Sequence, residues 1–248
     1  MTDEAEKSAF TRPGFIASAV VIALLVVGGI FVIVFGMMKP DAKPADPGPS
    51  ASEPSAAPTE ETPVKGGGSV CGLDKVELSG TLDSPPAAEW SYLGTATFPT
   101  SASSGPGETA PSGMLTCFER TPAGAVFFAT AATAQGSSPE LAADWLEYAL
   151  VESPAKSSIV AEAKSGTTGS STEIRMTAAG FKLLEYNGDT ARVDVGIRGD
   201  GKGKSIYIST IYSLSWENGD WRLDVDASGE PGQVAQLPNL AGYALWEE

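Results

Sequence analysis

The sequence predicts an α+β domain carried behind a single membrane span. Three observations point there. Residues 14–38 form one apolar run without a charge. Hydrophobic spacing then follows a helical period between about 121 and 164. After the glycine-rich stretch at 165–171 the period changes to two, punctuated by Asn-Gly-Asp at 187–189 and again at 218–220. Helices followed by an antiparallel meander is the chain order of an α+β fold: a curved sheet wrapped on a helical layer.

Each element can be justified in turn. Residues 1–13 form a short tail, and "GFIASAVVIALLVVGGIFVIVFGMM" at 14–38 exceeds the ~20 apolar residues a helix needs to cross a bilayer. A cleaved signal peptide has a shorter apolar core, ~7–15 residues, and a small-residue cleavage site, whereas this run ends in Gly-Met-Met-Lys-Pro. A retained transmembrane helix is therefore expected. Lys7 and Arg12 before the span balance Lys39 and Lys43 after it, so flanking charge does not orient it. The short tail and the position of both cysteines, Cys71 and Cys117, beyond the span favour a cytoplasmic N-terminus and an extracytoplasmic C-terminal domain at the plasma membrane. In that compartment an even pair suggests a disulfide, worth about 4 kcal/mol for this loop in the chain-entropy model. Two free, buried thiols in a cytosolic domain are the alternative.

Residues 39–68 are rich in Pro, Ala, Ser and Glu and too poor in large apolar side chains to fold, so they read as a disordered stalk. The folded domain spans 69–248. Of the chain's 16 Lys/Arg and 31 Asp/Glu, residues 1–68 hold 5 and 8, which leaves 11 against 23, a net −12, on 69–248. Such a domain is a poor non-specific partner for nucleic acid, and no direct nucleic-acid binding is expected. Residues 69–113 are full of turn formers and are expected to run irregularly over the surface, pinned by Trp90, Tyr92, Leu93, Phe98 and Cys71. Thr121-Pro122 is a helix start, and residues 123–134, too short to span a bilayer, read as a buried helix. A second helix is expected from Ser138-Pro139, with Leu141, Trp145 and Tyr148 on one face, and a third from Pro154 to Lys164. Strands are expected at 180–186, 191–197, 205–216 and 221–226, with a longer turn at 199–204.

Few residues offer chemistry. The chain has no histidine, which removes Ser-His-Asp and Cys-His nucleophile systems and histidine-based metal sites. No catalytic residue, metal ligand or cofactor is assigned. Asp224 and Asp226 share a strand face, but nothing in the sequence would push their pKa values apart, and a solvated face accounts for them. "DVDASG" at 224–229 imitates half of a calcium loop but has Ala235 where the closing glutamate belongs. Arg-Gly-Asp at 198–200 falls in an expected hairpin loop, where Gly and Asp serve the turn. Trp90, Tyr212, Trp216 and Trp221 are the candidate lining of a pocket or docking surface; core aromatics are the competing reading.

Trp90, Tyr92-Leu93-Gly94, Pro99, Gly105-Pro106 and above all "CFERTPAGA" at 117–125 resemble an uncharacterised family of actinobacterial single-pass membrane proteins associated with conjugative and integrative elements. The resemblance covers roughly 86–248. Separately, the order anchor, linker, helices, meander is similar to the bitopic scaffold subunits of type IV secretion, whose exported domains are NTF2-like; this is an analogy of architecture. Together the resemblances imply a non-catalytic, membrane-anchored docking subunit of a cell-envelope transfer machine, with protein partners or self-association through the exported domain. The alternative is a surface-exposed module that binds a small ligand or the cell wall. A hydrolase or isomerase on the same scaffold is disfavoured by the missing histidine.

Overall fold

The computed structural model describes residues 67–165, 174–225 and 230–247. The expected tail at 1–13, the span at 14–38 and nearly all of the linker at 39–68 lie outside the described residues, as does Asp226 with the rest of the calcium-like stretch up to Gly229. Among the described residues no helix is long and apolar enough to cross a membrane.

Part of the 69–113 segment, expected to be irregular, is a hairpin. Strand β1 (Glu89–Leu93) pairs antiparallel with β2 (Ala96–Thr100) across a two-residue turn in which Gly94 has φ 59°. Its inner face carries Ala96 and Phe98, both buried. Pro99 and the turn formers around the hairpin hide its period of two. Short strands β3 (Glu108–Thr109) and β4 (Leu115–Thr116) form a separate two-stranded ribbon.

Helix α1 (Pro122–Gly136) begins as the sequence predicts. Thr121 is extended, its Oγ1 accepts the Gly124 N–H at 3.0 Å, and Pro122 occupies the first turn. Gly124 is required there, because a Cβ would lie 2.0 Å from the Glu119 carbonyl oxygen. The helix is apolar on every side and almost wholly buried, as a central helix should be. The second helix, α2 (Ala142–Ala149), starts later than its cap signal suggests. The Ser138 carbonyl, not its side chain, takes the Leu141 and Ala142 N–H groups in a preceding turn. Leu141 and Trp145 nevertheless turn inward as expected. Helix α3 (Lys156–Lys164) rests on α2, with Lys164 Nζ 2.9 Å from Glu147.

The meander follows. Strands β5 (Arg175–Tyr186), β6 (Thr190–Gly201), β7 (Lys204–Glu217) and β8 (Asp220–Leu223) pair antiparallel in sequence order. The turns at Asn187–Asp189 and Asn218–Gly219 are where the sequence puts them. The 199–204 stretch is shorter than expected: pairing runs to Gly201 and Lys204, leaving only Lys202 and Gly203, both at positive φ. Two further strands were not foreseen. β9 (Gln233–Leu237) pairs with β7, and β10 (Ala244–Leu245) pairs with β5. Because β2 joins β5 in parallel, the sheet is mixed, and irregularities in β5 at 178–180 and 183–185 help curl it around α1.

The inner face of the sheet is filled. Phe118, Phe127, Phe128, Phe181, Trp216 and Trp221 meet there, with Phe118 and Phe128 edge to face at 5.4 Å and Phe181 against Trp246 at 4.9 Å. Each such ring contributes roughly 1.5–3 kcal/mol by leaving water. The opposite face is covered in part by residues 238–245. Gly180 and Gly196 are register partners, and a Cβ on Gly196 would stand 2.8 Å from both Leu240 and Tyr243. Small residues here let the C-terminal segment lie flat on the sheet. Asp194 then holds the segment by accepting the Tyr243 hydroxyl at 2.7 Å and the Ser209 hydroxyl at 2.6 Å. Burial, with Asp194 adding to it, pushes the Tyr243 phenol up to about 12.

Candidate functional site

The block Cys117–Gly124, the most specific stretch of the sequence, is almost entirely buried between the sheet and the N-terminal segment. Each of its polar groups has a partner. Cys117 is bonded to Cys71, with Cα atoms 5.8 Å apart. Its N–H and that of Phe118 donate to the Asp220 carboxylate at 2.7 and 2.9 Å. Glu119 accepts the Ser104 and Thr121 hydroxyls at 3.2 and 3.0 Å, and its carbonyl accepts the Trp221 indole N–H at 2.9 Å. Arg120 is 1% exposed; its Nε donates to the Gly188 carbonyl at 3.0 Å, its Nη2 pairs with Asp189, and its guanidinium lies over the Trp216 ring. A buried cation needs such partners.

Asp220 is the centre of this knot. It is fully buried and accepts four donors: the two block amides, the Trp221 N–H at 2.9 Å and the Tyr148 hydroxyl at 2.7 Å. Burial pushes its carboxyl above the usual range, against the pull of those hydrogen bonds. The Tyr148 phenol is also pushed up, by its own burial first and by Asp220 second. A shifted, buried acid can mark a reaction centre. Here its oxygens are occupied by four donors and none of its surface is exposed, so the arrangement locks β8 and α2 to the block. Arg222 reinforces the lock, its guanidinium over the Tyr148 ring and its Nη1 on the Tyr148 carbonyl at 2.7 Å.

The N-terminal segment is laced over the two Asn-Gly-Asp turns. The Val70 N–H donates to the Gly219 carbonyl, the Glu77 N–H to the Arg120 carbonyl, and the Tyr186 hydroxyl to the Glu77 carbonyl. Glu108 brings a carboxylate oxygen within 3.5 and 3.8 Å of the two bonded sulfurs. Cys71, Glu108 and Cys117 have the geometry of a small ligand group, but a metal needs thiolates and these sulfurs are joined.

The four aromatic candidates do not gather in one place. Trp216 and Trp221 are core: register partners on β7 and β8, they meet edge to face at 5.2 Å on the side covered by α1. Tyr212 shares that side, its hydroxyl 3.3 Å from that of Thr133 on α1, and its phenol is pushed up by burial. The helix covers that face, so Trp216 and Trp221 line no surface, and Tyr212 packs partly buried at the margin of the core. Trp90 borders a cleft on the other side that sequence reasoning did not resolve. Asp224 accepts the Ser215 hydroxyl, at 2.8 Å to its nearer oxygen, and its proposed companion Asp226 lies outside the described residues. Arg198, Gly199 and Asp200 sit in β6 rather than in a loop, with Arg198 and Asp200 paired at 2.9 Å, so the tripeptide is not displayed as an adhesion loop would be.

Comparison with curated proteins and with solved structures finds no match. A family model described as a domain of unknown function (DUF8175) matches residues 48–245, and the chain belongs to that family.

Proposed function

We propose that the protein is a membrane-anchored, non-catalytic docking subunit of a cell-envelope transfer machine, of the conjugation or type IV secretion kind, with an NTF2-like exported domain. One observation carries the non-catalytic part. The acids of the most specific block and its anchor, Glu119 and Asp220, are consumed by hydrogen bonds that hold the fold, and the sheet's inner face is filled. Three helices followed by a curled four-strand meander is compatible with the NTF2-like class. The sheet also ends on β1, whose Tyr92 is 74% exposed; at its other end α2 meets β8, while β9 is a second, exposed edge paired with β7. An edge strand with a displayed aromatic is a natural docking element. The second reading, a surface module for a small ligand or the cell wall, is favoured by the cleft beside Trp90.

Paired variants test the docking reading. Asp224→Asn with Asp226→Asn should leave folding and the transfer phenotype within about twofold of wild type, because an asparagine at 224 keeps an oxygen for the Ser215 hydroxyl and the proposed docking role uses neither charge. Deleting residues 45–64 removes up to ~60 Å of extended stalk and should reduce transfer at least roughly tenfold. A folded double variant without activity, beside a stalk deletion without effect, would indicate chemistry instead of docking.

A further inference from the structure

The sheet face away from α1 carries polar and aromatic groups around an open cleft. Trp90, Leu245 and Trp246 frame a cleft of about 460 Å³, and Arg198, Tyr207 and Asn239 line it with polar atoms. Its volume falls within the ~300–1,000 Å³ of small-ligand sites. Arg198 and Tyr207 are register partners on β6 and β7, so guanidinium and phenol stand side by side. Asn239 spends its Oδ1 on the Ala241 N–H at 2.8 Å, which leaves its NH₂ as the donor for a ligand. The Tyr207 hydroxyl has no hydrogen bond among the described residues, so it can both donate and accept. The residues holding these groups are set by the fold: Trp90 by β1 and by its indole bond to the Glu247 carbonyl at 3.3 Å, Leu245 by β10 over Gly180.

Charge narrows the ligand class. Arg198 gives its Nε–H to Asp200 at 2.9 Å, so the cation is balanced locally. The net −12 on residues 69–248 (11 Lys/Arg against 23 Asp/Glu) further opposes an anion. We propose that this cleft binds an uncharged saccharide. A sugar ring would lay its C–H face on the Trp90 and Tyr207 rings, with its hydroxyls taken by Arg198, Asn239 and the Tyr207 hydroxyl. The inference rests on the second reading above, and in a domain held outside the membrane such a ligand would come from the wall. Its test does not involve transfer, so failure of either reading leaves the other standing.

The experiment is a tryptophan-fluorescence titration of the full chain in a detergent without a sugar headgroup. The probes are cellobiose and N,N′-diacetylchitobiose as neutral saccharides, glucuronic acid as the anionic control, and an uncharged tetrapeptide. A saturable response to at least one neutral disaccharide is expected, with a millimolar Kd. Tyr207→Phe and Asn239→Asp, which keeps the oxygen that accepts the Ala241 N–H, should each weaken binding by about three- to tenfold, through loss of one hydrogen bond, without changing the melting temperature. Leu245→Arg, at a position 47% exposed, should fill the cleft and abolish the response. If that variant fails to fold, the two milder ones decide. The proposal is overturned if no neutral saccharide gives a saturable response, if the folded variants bind as wild type does, or if glucuronic acid or the peptide binds more tightly.

Discussion

Replacing Asp220 with alanine is expected to destabilise the domain by about 4 kcal/mol, lowering its melting temperature by roughly 10 °C. The effect is large because four donors converge on one carboxylate and three of them are backbone amides fixed by the chain. Removing the acceptor strands buried N–H groups that have no second partner to turn to. An opposing term exists, since burial of the carboxylate outweighs its hydrogen bonds in setting the pKa, but alanine leaves three buried amides and a phenol without their acceptor. Asp220→Asn is no remedy, because its NH₂ would face a donor. The variant should also alter the response to pH. The folded-state pKa of Asp220 is raised above the unfolded value near 4, so the folded state holds the proton more tightly. Its contribution is full below the unfolded value and is lost as pH rises through the folded one. The wild type should therefore gain stability on acidification across that window relative to Asp220→Ala. A difference in melting temperature that does not change with pH would contradict the assignment of the shift to Asp220.

Cys117→Ser should cost nearly as much, up to about 4 kcal/mol by the chain-entropy estimate for this loop. The physical effect is concentrated in the N-terminal segment. Without the bond, residues 69–78 are held by a few main-chain contacts and by Val70 and Leu78 packed over Gly219 and Gly188. Thermal unfolding should be shifted down, and limited proteolysis should cut first within 69–88 while β5–β8 stay intact. Wild type denatured without reductant should show no free thiol, and two titratable groups there would overturn the pairing.

Much of the framework was legible. Thr121-Pro122 started α1, the two Asn-Gly-Asp turns placed β5, β6, β7 and β8 in register order, and alternation along 205–216 gave the right strand. The illegible parts are those fixed by non-local contacts. β1 and β2 are short, one is broken by Pro99, and β2 is held in the sheet by a parallel pairing with distant β5. β10 gains its place because Gly196 and Gly180 leave room on the sheet for the C-terminal segment, and β9 gains its place by pairing with β7. The site was harder still. Period two tells that Tyr212 and Trp216 share a face, but not that α1 covers it; only the position of that helix takes Trp216 into the core and packs Tyr212 against it. Asp220 looked like a turn residue because Asn-Gly-Asp explains an aspartate by itself. The cleft beside Trp90 unites side chains from β1, β6, β7 and the C-terminal segment, and no local pattern announces that meeting.

In the proposed function this domain works by docking, through the β1 edge of its sheet. A photo-crosslinking side chain placed at Tyr92 in the full chain, in the native membrane, tests it most directly. Leu184, 41% exposed on β5, serves as the control position. A discrete crosslinked species is expected at Tyr92, either with a second copy of this chain or with one other envelope protein, and little at Leu184. No adduct at Tyr92, or the same diffuse adducts at both positions, would contradict it.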